Sequence, residues 1–195
     1  MIFRTRPRTL ACGAVVVRAM QPSDERVWMV VREKNRAWLR PWEAAEPPGR
    51  HVRPISFRAL VRLDRRQWRT RRAVPMVIQY EGYLVGRVAI AGIEWGSART
   101  GALGYWIDEQ FAGRGIVPRA VALLAEYGFS LGLHRLEIAV RPENEASVRV
   151  AQKLGFRDEG LRRRYLYIDG DWRDHRVFAM LSEDKRTGEF WRCSD

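Results

Sequence analysis

The chain has 195 residues, room for one ordinary domain or two very small ones, and its 46% hydrophobic and 11% aromatic content rules out wholesale disorder. Lys and Arg total 35 against 23 for Asp and Glu, a formal net charge of +12 that favours polyanionic partners such as nucleic acid, ribosomes, anionic lipid or phosphate-bearing cofactors. Almost all of the basic residues are Arg, with Lys only at positions 34, 153 and 185.

Cys12 and Cys193 lie near opposite ends and His51, His134 and His175 are isolated, so neither a zinc site nor a disulfide framework is expected. A reducing cytoplasm is the expected setting. The apolar run Thr9 to Val17 follows Arg4, Arg6 and Arg8, but Arg18 closes it without a small-x-small cleavage site, and it is read as the approach to a strand rather than a signal. No apolar stretch reaches the roughly 18 residues that would suggest a membrane span.

Residues 1–12 are expected to be a basic, loosely anchored segment, residues 13–182 a single domain, and residues 183–195 a C-terminal tail. The first strand is expected from Gly13 to Arg18. Pro22-Ser23-Asp24 then starts a helix whose apolar face carries Val27, Val30 and Val31. Trp38 to Trp42 is a stiff aromatic-proline stretch, and Glu43 to Pro54, with Pro47 and Pro48 inside it, reads as a loop. A second helix is expected from Ser56 to Arg72, with Phe57, Leu60, Val61 and Leu63 near one face. The remainder is crowded with arginines, a solvated surface or a dock for RNA.

From residue 75 the pattern turns to strands. Met76–Tyr80 and Tyr83–Trp95 form a hairpin about Glu81-Gly82, and Gly101–Ile107 follows. A helix over Ile116–Leu131 ends in Gly132, and the next strand is Leu136–Val140. Asn144–Leu154 is a helix, and Phe156–Ile168 and Trp172–Leu181 pair about Asp169-Gly170-Asp171. This order predicts an α/β fold with a mixed, mostly antiparallel sheet flanked by helices.

Chemistry concentrates at the junction Gly104-Tyr-Trp-Ile-Asp-Glu-Gln-Phe-Ala-Gly-Arg-Gly-Ile116. Gly113 and Gly115 allow a turn with inward N–H groups, the helix start adds unpaired donors and its positive dipole end, and Arg114 adds a cation. Such a junction can cradle a pyrophosphate, although a ligand-free tight turn would have the same glycines. Pro118 suits the first helical turn.

Gln110-Phe-Ala-Gly113-Arg-Gly115 matches the Q-x-x-G-x-G signature of the GNAT superfamily of N-acetyltransferases. His134-Arg135-Leu-Glu-Ile-Ala-Val, Pro142-Glu-Asn144-Glu-Ala-Ser147, Lys153-Leu-Gly155-Phe156, Glu159-Gly160 and Gly170-Asp-Trp172-Arg-Asp174 closely resemble its RimJ/RimL branch, and Trp38-Leu-Arg-Pro41-Trp42 resembles that branch's early Trp-x-x-Pro-Trp segment. The resemblance spans roughly residues 13 to 182. It implies a GNAT fold and acetyl transfer from acetyl-CoA, without a metal, to the N-terminal α-amine of a ribosomal protein. Backbone amides of Gln110, Ala112, Gly113, Arg114, Gly115 and Ile116 are then expected on the pyrophosphate, and the strand end at Trp106 and Ile107 on the pantetheine arm. Asn144 is expected near the thioester, and Ser147, three residues on and on the same helix face, is expected to protonate the departing thiolate.

The resemblance does not provide a base. The glutamate proposed for relatives aligns with Leu166, which leaves Glu94, Glu137, Asp174 and His175 as candidates. Glu137 has an ion pair as its structural alternative and His175 a satisfied strand position. Trp38, Trp42, Tyr105 and Trp106 are candidates for the acceptor pocket or simply for the core. A small-molecule amine is the alternative acceptor, and a non-catalytic RNA- or ribosome-binding module is a third reading, although no aromatic RNP sequence is present.

Overall fold

The computed structural model describes residues 6–49 and 55–193. It contains β1 (Leu10–Cys12), β2 (Val15–Arg18), α1 (Glu25–Lys34), α2 (Arg36–Leu39), α3 (Phe57–Arg69), β3 (Val74–Tyr80), β4 (Tyr83–Glu94) and β5 (Thr100–Ile107). Then come α4 (Ile116–Ser130), β6 (Arg135–Val140), α5 (Glu145–Lys153), β7 (Arg157–Ile168) and β8 (Asp171–Leu181). The eight strands form one sheet in the order β1-β2-β3-β4-β5-β6-β8-β7. Every neighbouring pair is antiparallel except β5 and β6. The expected mixed α/β architecture is therefore present.

The alternation of β6 explains how the layers assemble. Leu136, Ile138 and Val140 are buried and join α4's Val121 and Leu124 in the larger core, while Arg135, Glu137 and Ala139 face the other way. On that opposite face a smaller core of Met20, Trp28, Phe57, Val61, Val77 and Leu84 seats α1 and α3.

Three local expectations need correction and a fourth is refined. The sheet begins at Leu10, so the last residues of the supposed loose segment form an edge strand, turned into β2 at Gly13. Cys12 and Cys193 are disulfide-bonded across 181 positions with Cα atoms 5.2 Å apart, contrary to the expectation that they stay unpaired. They meet because the tail is docked: Phe190 and Trp191 pack on the main core and the Trp191 Nε1 donates to the Leu154 carbonyl at 3.1 Å. In α1 the buried residues are Trp28 and Val31, while Val27 and Val30 are exposed. Two apolar stripes compete on that helix, and the indole prevails because it buries more area and meets Phe57 at 6.1 Å and Trp106 at 5.4 Å between ring centroids. Finally, Trp38 to Trp42 is helical, closing α2 and a 3-10 turn over Arg40–Trp42. Part of the proline-rich loop, residues 50–54, lies outside the described residues.

Trp28 thus holds α1 against the strand whose end carries the glycine loop. Replacing it with Ala is expected to cost about 3–5 kcal/mol, measured as a fall in the urea midpoint with an unchanged m-value.

Candidate active site

The parallel strands β5 and β6 pair only at Thr100–Arg135, Gly101–Leu136 and Ala102–Glu137. β5 continues to Ile107 and β6 to Val140 without further pairing, so the two strands part and leave backbone groups facing a gap. Two cavities open there. The larger, about 460 Å³, is lined by Trp38, Trp42, Tyr105, Trp106, Ile107, by Phe111, Ala112, Gly113 and Gly115 of the loop, and by residues of the first turns of α4 and α5. The smaller, about 230 Å³, lies between the parted strands and takes in Leu103, Ala139, Arg141 and His175. Trp42, Tyr105, Asn144 and Ser147 line both.

The loop between β5 and α4 divides its amides unequally. The N–H of Gln110 donates to the Asp108 carboxylate at 3.2 Å, Phe111 to the Asp108 carbonyl at 2.9 Å, and Ala112 to Glu109 at 3.0 Å. The N–H groups of Gly113, Arg114, Gly115, Ile116 and Val117 have no protein partner among the described residues. The stretch of free donors is therefore shorter at its start than expected and runs one residue further, to Val117. Gln110 and Arg114 do not line the cavity, and the Arg114 guanidinium lies over the Phe111 ring at 5.2 Å. Gly113 and Gly115 have φ of 78° and 73°, where a side chain is strained, and Gly115 caps α4. The free donors and the helix dipole thus coincide.

A buried network fixes this loop to the first two helices. Asp108 is 4% exposed and receives Lys34 Nζ at 3.1 and 3.0 Å. Burial opposes its charge, but the Lys34 bonds, the Gln110 N–H and Asn35 outweigh that and hold its carboxyl below the usual range. The Asn35 side chain accepts from Glu109 N at 2.9 Å and donates to Val31, and the Trp38 indole donates to the Ile107 carbonyl at 3.2 Å. Nothing in the glycine signature pointed to Lys34 or Asn35, since their partners are 74 positions away.

Asn144 and Ser147 come together as expected, with a geometry that limits each. Asn144 caps α5: its Oδ1 accepts the Ser147 N–H at 3.1 Å, which leaves its amide NH2 for the cavity. The Ser147 hydroxyl has no protein partner among the described residues, and the Ser147 carbonyl accepts from Tyr105 at 3.3 Å. Burial of Tyr105 keeps its phenol protonated, so this side chain is a donor between the two cavities. Trp42 is positioned by Arg141, whose guanidinium lies over its ring at 5.3 Å and donates to Pro41 at 2.8 Å.

The candidate bases separate clearly. Glu137 is held by Arg135 at 2.7 Å and Arg162 at 3.0 Å, the structural ion pair. Asp174 is exposed and accepts from Arg164 N at 2.7 Å, and Glu94 lies at the far end of β4, lining neither cavity. His175 is 2% exposed and lines the smaller cavity. Glu143 borders the larger one, its carboxyl held low by its own backbone N–H and by Arg141 despite some burial.

A strand that parts from its parallel neighbour, a glycine loop with unclaimed amides and a helix start define an acetyltransferase. The chain belongs to the GNAT acetyltransferase family, whose domain model matches residues 14–157. It is an acetyl-CoA-dependent N-acetyltransferase. Among solved structures it is similar to Mycobacterium smegmatis RimJ in complex with CoA-disulfide, at 35% identity and a TM-score of 0.82, covering 90% of this chain and 87% of that one. The [ribosomal protein uS5]-alanine N-acetyltransferase of Escherichia coli (strain K12) is 27% identical over 184 residues, 92% of this chain and 93% of the relative. Probable N-acetyltransferase YjcK of Bacillus subtilis (strain 168) is 42% identical over 102 residues, 52% of this chain and just over half, 56%, of that relative.

Ala at position 115 would strain the turn and bring its Cβ within 3.1 Å of the Phe190 ring. Gly115→Ala is expected to cost about 1 kcal/mol of stability. Calorimetry should show acetyl-CoA affinity down about tenfold, equivalent to one lost hydrogen bond to a charged group.

Proposed function

We propose that the protein transfers the acetyl group of acetyl-CoA to the N-terminal α-amine of a ribosomal protein. The observation that supports this most is the meeting of two cavities at Tyr105, Asn144 and Ser147: one is bordered by free amides, the other by unpaired strand edges. In this reading the N–H groups of Gly113 to Val117 hold the diphosphate, and the edge at Trp106 and Ile107 pairs with the pantetheine arm. Acetyl-CoA supplies the activated acyl carbon. The Asn144 amide orients the thioester and the Ser147 hydroxyl gives its proton to the sulfur.

The acceptor follows from proton affinity and shape. An α-amine has a reference pKa of about 7.7–8.0, so roughly a tenth is neutral at pH 7, whereas a lysine at about 10.4 is neutral in well under a thousandth of molecules. That gap, about 3.4 kcal/mol, favours the α-amine in a site without a strong base. The free edge of β6 suits an extended peptide, and the Glu143 carboxylate suits its ammonium. The name of the E. coli relative points to a ribosomal acceptor.

A ribosomal acceptor puts the reaction in the cytoplasm, where the Cys12–Cys193 pair meets a reducing environment. The net charge of +12 then draws the enzyme to ribosomal RNA through attraction to phosphate that weakens with salt. On α3, Arg58, Arg62, Arg66 and Arg69 are exposed at near-helical repeat. The combined change of Arg62, Arg66 and Arg69 to Glu is expected to abolish low-salt co-sedimentation with ribosomes while leaving peptide turnover unchanged.

Thiol release with peptides starting in Ala, Ser or Met, set against small amines, tests the acceptor; turnover confined to small amines would overturn the peptide reading. Ser147→Ala is expected to lower kcat about 100-fold with acetyl-CoA affinity unchanged, and unaltered turnover would remove the serine from the mechanism.

A further inference from the structure

His175 sits on β8 opposite Arg162 of β7, on the face it shares with Val177 and Ala179. Its Nδ1 lies 3.0 Å from the Arg173 carbonyl oxygen. A carbonyl oxygen only accepts, so Nδ1 carries the hydrogen and the distal Nε2 keeps its lone pair. No described protein group is hydrogen-bonded to Nε2, and the ring lines the smaller cavity beside Tyr105, Asn144 and Ser147. The Tyr165 ring meets the imidazole edge-on at 5.8 Å, so backbone and neighbour together set its plane.

We propose that His175 is the base that accepts the proton of the incoming ammonium, a role that rests on the acetyl-transfer reading of this site. The nitrogen must shed two protons overall. The first N–H bond breaks as an Nε2–H bond forms, and that proton passes to solvent through the open cavity. The freed lone pair forms the N–C bond as the C–S bond breaks. The second proton leaves the nitrogen and, relayed by the Ser147 hydroxyl, ends on sulfur, so amide and thiol are neutral products and one proton is released.

Charged groups from each neighbouring segment bear on the ring. Arg141, in the connection after β6, disfavours the imidazolium, while Glu143 from the same connection and Asp174 from its own strand favour it. Arg162, its partner on β7, is directed to Glu137. Burial comes first among these influences and, with Arg141, outweighs the carboxylates and the Arg173 bond, keeping the ring neutral at pH 7. The other carboxylates do not suit proton abstraction here, because Glu137 is held between two arginines and Asp174 faces solvent.

The test compares wild type and His175→Gln, with a peptide that the wild type acetylates or, failing any peptide, with whichever amine it accepts. At pH 7 the variant's kcat with a peptide is expected to fall about tenfold, to the share of α-amine already neutral there, while KM and acetyl-CoA affinity stay within about twofold. Wild-type kcat should level off above the imidazole range, whereas the variant's should keep climbing through about pH 7.7–8.0 as the amine loses its proton unaided. Nitrogen NMR of the wild-type ring, which needs no variant, should show neutral imidazole at pH 7 with hydrogen on Nδ1. A variant with the wild-type pH profile overturns the proposal, as does a ring that is charged or bears its hydrogen on Nε2. A wild type active only on small amines would instead refute the peptide reading and leave the histidine to be judged by the same profile and spectrum.

Discussion

The structure depends on where β5 and β6 stop pairing. Three residue pairs hold them together, and beyond Ala102 and Glu137 each strand runs on with one edge unpaired. In a closed sheet those N–H and C=O groups would be satisfied by a neighbour, and leaving them unpaired against an apolar interior is costly. Here they border the two open cavities. The same divergence brings the β5–α4 loop and the start of α5 to one opening, so Gly113 and Asn144, 31 positions apart, border one cavity.

The gap stays in shape because both sides are tied to other layers. From one side Lys34, Asn35 and Trp38 bind Asp108, Glu109 and Ile107, fixing the end of β5 to the first two helices. From the other, Arg141 reaches the Pro41 carbonyl and covers Trp42, while Ala44 bridges to Ile168 and Arg40 pairs with Asp169 at 2.8 Å. The aromatic segment between these ties roofs the cavities. Asp108 also decides which amides are available: by accepting from Gln110 and Phe111 it occupies the early donors of the loop and leaves those from Gly113 onwards.

The ends of the chain support this region from behind. Phe190 lies against Gly115, and Arg119 of α4 donates to the Glu189 carbonyl at 2.6 Å, so the tail braces the first turns of α4. The bond between Cys12 and Cys193 joins this brace to the edge strand β1.

Element types and order were legible in the sequence because alternation and helical periodicity are local. The strands from residue 76 onwards and the helix beginning at Ile116 lie close to where their patterns place them. The glycines at 113 and 115 marked the loop because few other residues adopt positive φ. Competing faces on α1, the helical form of Trp38 to Trp42, the pairing of cysteines 181 positions apart and the free nitrogen of His175 were not legible. Each is set by a partner distant in the chain: Trp106 for Trp28, the docked tail for Cys12, and the open slot between parted strands for the imidazole. By itself the sequence determined an α/β sheet with a glycine-bearing turn that can hold an anion. Only the tertiary structure decided which amides remain unclaimed and which candidate base lines a cavity with a nitrogen unclaimed, because both are settled by what else has already taken each hydrogen bond.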